Sequence, residues 1–161
     1  MTHSNSREFS HLDSSGQAHM VDVSAREITT RTARASGKVL LSLDVVELLR
    51  GVGIPKGDVL ATARIAGIMG AKRTVDLIPL CHPIAISGIA LDAYVVDDGV
   101  EITAEVKTSD RTGVEMEALT AVSIAALTVI DMVKSIDPSA SIFEVRVDSK
   151  DGGRNGSWKR K

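Results

Sequence analysis

In this 161-residue sequence, acids, bases and stiff backbone coincide at only a few places. The first is the stretch from Asp76 to Pro83, Asp-Leu-Ile-Pro-Leu-Cys-His-Pro, which holds two of the four prolines, the single cysteine and one of the four histidines. Each proline pushes the residue before it, Ile78 and then His82, into an extended conformation, so a stiff, non-helical connector is expected here. Such a backbone can hold Cys81 and His82 against a ligand with little entropy lost on binding. The plainer alternative is a turn with a half-buried histidine and an inert thiol, which by itself is the commoner arrangement.

A second set of candidates lies on a long helical pattern opened by Thr112-Gly113-Val114-Glu115. Glu115 and Glu117 stand near its start, Asp131 and Lys134 near its end. Each has a structural reading: Glu115 closes a capping box, Glu117 favours the positive helix end, and Asp131 with Lys134 forms an i, i+3 ion pair. Their spacing adds a sharper point. Glu117 and Asp131 are fourteen positions apart. At about 100° and 1.5 Å per residue they share a face but stand roughly 21 Å apart. One small ligand cannot span both in one chain, so if both serve active sites, the site is shared between protomers or there are two. Lys56, in the Gly53/Pro55/Gly57 loop, is a further candidate base, with a solvated loop lysine as the alternative. Gly70-Ala71-Lys72-Arg73 and Gly152-Gly153-Arg154 place glycine beside cations, a composition suited to phosphate oxygens. Neither a Walker A pattern nor a G-x-G-x-x-G follows a strand. A metal site is poorly supported, because Cys81 and His82 are adjacent and His3, His11 and His19 lie in or beside a polar arm.

The elements that must position these residues follow from patterning. Residues 1–18 are polar and without period, an expected mobile arm. Ala25 to Leu43 reads as strand, with a turn expected at Ser36-Gly37. Asp44 is the expected N-cap of a helix over Val45 to Arg50, ended by Gly51. A second helix is expected from Asp58 to about Arg73, with Val59, Ala63, Ala66, Ile68 and Met69 as its apolar side and Gly67 and Gly70 marking close packing. Ile84 to Val96 is an irregular strand with a bulge near Gly88, and Asp97-Asp98-Gly99 turns it into a clean alternating strand through Val100, Ile102, Ala104 and Val106. The long helix should run to about Ser135. Phe143, Val145 and Val147 alternate as a last strand before a Gly-rich basic tail over 150–161, leaving one domain over 19–149. Strand, helical pair, strand, strand, helix, strand is the split β-α-β order, which predicts an α+β ferredoxin-like βαββαβ sandwich, an antiparallel sheet with helices on one face.

Composition narrows the function classes. The formal net charge is −2 and the aromatic content 2%, so the core must be Ala, Val, Ile and Leu, and a stacking platform for nucleic acid is not expected. A lone Cys81 excludes an intrachain disulfide, and with no signal-peptide pattern a cytoplasmic protein is expected. No membrane span is expected, since the most apolar stretch, Ala118 to Ile130, is interrupted by Thr120, Ser123 and Thr128.

Taken together, Ala18-His-Met-Val-Asp-Val-Ser, Lys56-Gly-Asp-Val, Ala61-Thr-Ala-Arg-Ile-Ala-Gly, the Asp76 to Pro83 stretch, Thr112-Gly-Val-Glu-Met-Glu-Ala-Leu-Thr-Ala and Asp131-Met-Val-Lys resemble the molybdenum cofactor biosynthesis protein C family, the cyclic pyranopterin monophosphate synthases. The resemblance runs from Ala18 to Lys159. It implies a lyase that converts cyclised dihydro-GTP to cyclic pyranopterin monophosphate and releases pyrophosphate. It implies acid–base roles for Asp131, Lys134 and Lys56. Substrate binding is implied for Leu80, Cys81, His82, Glu115, Met116 and Glu117, with Arg31 and Lys150 at the pocket and its phosphates. No resident cofactor is required on this reading, and Mg2+ accompanying the triphosphate is left open. The family forms hexamers, trimers of dimers with sites at the dimer interface, and neither nucleic acid nor membrane is implied as a partner. The tail departs from the family pattern at Asp151, Arg154 and Asn155, and the loop before Lys56 is less polar. The competing reading is a non-catalytic oligomeric module of the same fold that senses a nucleotide or metabolite.

Overall fold

The computed structural model describes residues 11–13, 15–51, 54–154 and 156–161. Five strands form one antiparallel sheet in the order β2-β3-β1-β4-β5: β1 is Thr29–Leu40, β2 Ile86–Val96, β3 Gly99–Asp110, β4 Ser141–Asp151 and β5 Trp158–Lys159. The helices are α1 Leu43–Arg50, α2 Val59–Lys72, the single turn α3 Thr74–Leu77 and α4 Glu115–Val133. Helices α2 and α4 pack on each other and on one face of the sheet, α4 over β1, β3 and β4 and α2 over β2. This is the expected ferredoxin-like α+β sandwich, with β1 and β3 as its central strands.

The core is aliphatic. Val39, Val100, Ile102 and Val106 from the sheet meet Val114, Val122, Val129 and Val133 from the α4 region, all fully buried. Ala118, Ala121, Ala125 and Ala126 keep the buried face of α4 thin, which lets the helices approach closely. A methyl group built on Gly67 would lie 2.7 Å from the Ala121 carbonyl oxygen, and one on Gly70 2.7 Å from Ile124 Cγ1. The two glycines of α2 are therefore where α4 seats. By length and composition α4 could cross a membrane, contrary to the expectation from its three hydroxyl residues. Its apolar residues are spent on the core instead: about half of the helix surface packs on sheet and α2.

Several local expectations are corrected. Ser36-Gly37 is not a turn; β1 runs straight through it, and the irregularity lies opposite, where the β4 register shifts and Glu144 takes a positive φ of 50°. That bulge also leaves Phe143 half exposed rather than inward. Helix α1 starts after Ser42, not Asp44. The Ser42 N–H is satisfied from a distance, donating to Asp137 Oδ2 at 2.7 Å. On α2 the buried positions are Val59, Ala63, Gly67, Gly70 and Ala71, while Met69 is exposed. The bulkier residues lie outside because only the glycine ridge fits against α4. Asp76 and Leu77 close the turn of α3, and the connector becomes extended only at Ile78 (φ −114°, ψ 107°), where Pro79 requires it. The Thr112 capping box does not form: Val114 is the N-cap residue and no side chain caps the helix. Strand β4 extends through Lys150 to Asp151, and the residues beyond return as β5. Of the expected N-terminal arm, residues 1–10 and 14 lie outside the described residues, as do Gly53 of the Lys56 loop and Asn155. His11 to Ala18 contains a tight turn in which Asp13 accepts the N–H groups of Ser15 and Gln17.

Candidate functional site

The first turn of α4 stands between two adjoining depressions. One, of about 810 Å3, lies between the ends of β1 and β4 and is lined by Arg26, Arg31, Glu115, Lys150 and Arg154, among others. The second, of about 350 Å3, is lined by Leu80, Cys81, His82, Met116 and Glu117 and shares Arg26, Thr112, Gly113 and Glu115 with the first. The structure thus brings together all eight residues expected to bind substrate: Leu80, Cys81, His82, Glu115, Met116, Glu117, Arg31 and Lys150.

In the larger depression the cations are held by fixed partners. Lys150 Nζ donates to Glu115 Oε1 at 2.9 Å. Glu115 is therefore an ion-pair partner and not the acid of a capping box. Arg31 Nε donates to the carbonyl oxygen of Asp110 at 2.9 Å, which leaves the rest of its guanidinium fork for another acceptor. Arg111 Nε donates to the carbonyl of Arg26 at 3.1 Å and anchors the segment that carries Arg26 into the same space. Arg26 is a contributor that pattern reading missed, since a lone arginine before a strand carries no distinguishing signal. Asp151, one of the tail departures, lines this cationic space as well.

The smaller depression contains the most unusual group in the molecule. Glu117 is only 4% exposed, and among the described residues no donor reaches its Oε2. Burial pushes its carboxyl up to about 7, with the charge of Glu115 adding to the rise against an opposing backbone hydrogen bond. A carboxyl in that state holds or releases a proton near neutral pH. Burial, and then the charge of Glu117, also push the Cys81 thiol up, so it is a neutral wall and not a thiolate nucleophile. His82 Nε2 donates to the carbonyl oxygen of Val21 at 2.6 Å. A carbonyl only accepts, so Nε2 carries the hydrogen.

Asp131, Lys134 and Lys56 form a separate group at the other end of α4. Lys134 Nζ donates to Asp131 Oδ1 and Lys56 Nζ to the Asp131 carbonyl oxygen, each at 2.7 Å. The hydrogen bond from Lys134, then the charges of Lys134 and Lys56, hold the Asp131 carboxyl below the usual range. All three side chains are well exposed. The helix places this triad roughly 20 Å from Glu117, at about 1.5 Å per residue, so one chain does not unite the two groups. Among the described residues no group of three or more His, Cys, Asp or Glu side chains is arranged as metal ligands.

The model of the MoaC family matches residues 20–153. The chain belongs to the MoaC family. Similar curated proteins are the cyclic pyranopterin monophosphate synthase of Streptomyces avermitilis, 70% identical over 93% of this chain and 88% of its own length, and that of Nocardioides sp., 60% identical over 96% of each. Cyclic pyranopterin monophosphate synthase 2 of Mycobacterium tuberculosis is 57% identical over 97% of this chain and 93% of its own. This MoaC-family chain is accordingly similar along nearly its whole length to enzymes that share one name, and both residue groups on α4 fall inside the matched region.

Proposed function

We propose that the protein is a cyclic pyranopterin monophosphate synthase of molybdenum cofactor biosynthesis, a cytoplasmic lyase that converts cyclised dihydro-GTP to the cyclic monophosphate and releases pyrophosphate. The observation that carries the reading is the pair of adjoining depressions at the start of α4, one where Arg26, Arg31, Lys150 and Arg154 gather beside Asp22, Glu27, Glu115 and Asp151, and one built around the buried Glu117. The triphosphate suits the first, where Arg31, Lys150, Arg26 and Arg154 offer charge-assisted donors to its oxygens. When a ribose hydroxyl attacks the innermost phosphorus and pyrophosphate leaves, those cations stabilise the charge that accumulates on the leaving group. The heterocycle suits the second, bounded by Leu80, Cys81, His82, Met116 and Glu117. Opening and reclosing its ring needs groups that exchange protons near neutral pH, and Glu117 is of that kind.

Lys56, Asp131 and Lys134 would complete the acid–base set from a second protomer, since the length of α4 keeps them from the same chain's depressions. On this reading the protein works as a homo-oligomer, a trimer of dimers with sites at dimer interfaces. No resident cofactor is needed, and any Mg2+ arrives bound to the triphosphate.

The test is incubation of the purified protein with the cyclised dihydro-GTP intermediate, following pyrophosphate and, after oxidation, the fluorescent pterin. Both products should form together and disappear in Lys56→Ala, a loop substitution that leaves the core intact. Tight binding with neither product would refute the synthase and leave a ligand-binding module of the same fold.

A further inference from the structure

The C-terminal residues do not trail from the domain. Beyond β4 the chain turns through Gly152 and Gly153, at positive φ of 87° and 76°, and returns as β5, pairing Lys159 with Ser149 and Trp158 with Lys150. Arg160 then fastens the hairpin. Its N–H donates to the Asp148 carbonyl at 2.8 Å and its Nε to the Val147 carbonyl at 2.9 Å. Its guanidinium carbon stands 5.5 Å from the centroid of the Trp158 ring, within range of a cation–π contact.

This hairpin ends at the cationic depression. Lys150 has a strand neighbour on each side, Ala33 in β1 and Trp158 in β5, and its ammonium meets Glu115. A methyl group on Gly153 would collide with the Arg31 guanidinium, and one on Gly152 with the Thr30 carbonyl. The bare backbone of the turn is therefore the surface against which Arg31 rests. Without β5, the segment carrying Lys150 would be the edge of the sheet, where pairing frays.

We propose that Trp158 and Arg160 are positioning residues for phosphate: they latch the hairpin so that Lys150 and Arg31 converge on one ligand, the substrate's triphosphate or the departing pyrophosphate. The inference rests on the phosphate reading of this depression given above. A flexible lysine on a frayed edge must be ordered at the moment of binding, whereas one on a doubly paired strand is ordered beforehand.

The test uses the full-length protein and inorganic pyrophosphate as calorimetric probe, beside steady-state kinetics. Lys150→Ala should weaken pyrophosphate by about tenfold, the loss expected for one charge-assisted contact. Trp158→Ala should weaken it by a comparable factor and lower kcat/KM to match, and Trp158→Phe should restore most of the loss. Adding Trp158→Ala to Lys150→Ala should cost less than Trp158→Ala costs alone, because part of the latch acts through the lysine. Amide exchange at Ser149 and Lys150 should quicken in Trp158→Ala with the thermal midpoint little changed. Wild-type affinity in Trp158→Ala, full additivity in the double variant, or unaltered exchange at Lys150 would each overturn the latch. Unchanged affinity in Lys150→Ala would instead refute the phosphate reading, and the latch with it.

Discussion

Glu117→Gln isolates the cost of ionising a carboxyl that the fold buries with its Oε2 unpartnered among the described residues. The ordinary value for this group is 4.5, and burial raises it to about 7 in the folded protein. Between those values the native state keeps a proton that the unfolded chain has released, so native stability falls as pH rises through the window, and the penalty is complete above about 7. The full interval is worth roughly 3 kcal/mol. Glutamine, of nearly the same shape, never ionises. The variant should match the wild type near pH 4.5 and overtake it as pH rises, the gap widening by roughly 2.5 kcal/mol between pH 5 and pH 8. For a chain of this length that is about 5 to 10 °C in thermal midpoint. Urea unfolding of both proteins at the two pH values, at one fixed protein concentration, measures the gap directly. Carboxylates such as Asp137 and Asp131, whose values are lowered, give the opposite slope at more acidic pH. They cancel in the difference between the two proteins. A gap that stays constant, or narrows as pH rises, would mean that Glu117 is ionised and paired in the native state, and its part as a proton holder would fall.

Two further predictions concern the scaffold. Gly67→Val drives a branched side chain into the Ala121 carbonyl and Ala125 Cβ, 2.7 and 3.1 Å from the position of the first added carbon; it should cost at least about 1–3 kcal/mol, and an unchanged melting midpoint by circular dichroism would show that α2 and α4 are not seated there. Asp137 is nearly fully buried and accepts the N–H groups of Ser42 and Ser139 and the Ser139 hydroxyl, so Asp137→Ala should cost about 2–4 kcal/mol near neutral pH. That gap should shrink as pH falls through the lowered value of the aspartate, and denaturant curves with a gap independent of pH down to about 2 would refute the carboxylate's role.

Features with a local cause were legible in the chain. The alternation from Val100 to Val106 and the Asp97-Asp98-Gly99 turn correctly yield β3 and its hairpin with β2. Asp58 caps α2 through the Ala61 N–H as its position suggests, and Pro79 holds Ile78 extended. Features whose cause lies elsewhere in the chain were not. Thr112 and Glu115 have the spacing of a capping box, yet Glu115 turns to Lys150, thirty-five residues away. Ser42, rather than Asp44, starts α1 because Asp137 reaches it across ninety-five residues. On α2 Val59 and Ala63 face the core as expected and Ile68 packs against it, while Met69 lies outside because close packing against α4 favours glycine. The candidate site divides in the same way. Cys81, His82, Glu115, Glu117, Asp131, Lys134 and Lys56 stood out by residue type and spacing, each with an ordinary structural reading beside it, whereas Leu80, Met116, Arg31 and Lys150 came only from motif resemblance.

By itself the sequence determined the element order, the sheet's two-residue alternation, an aliphatic core and the fourteen-residue separation of Glu117 from Asp131 along one helix. These depend on dihedral preference, hydrophobic period and helical rise, all of which act over a few residues. Only the tertiary structure decided that Glu117 is desolvated with no donor to its Oε2 among the described residues, that Lys150 and Arg31 line one depression, and that β5 closes beside them. Desolvation and ion pairing depend on which surfaces meet. Lys150 and Glu115, like Arg31 and Gly153, stand dozens of residues apart, so no short window along the sequence contains both members of either contact.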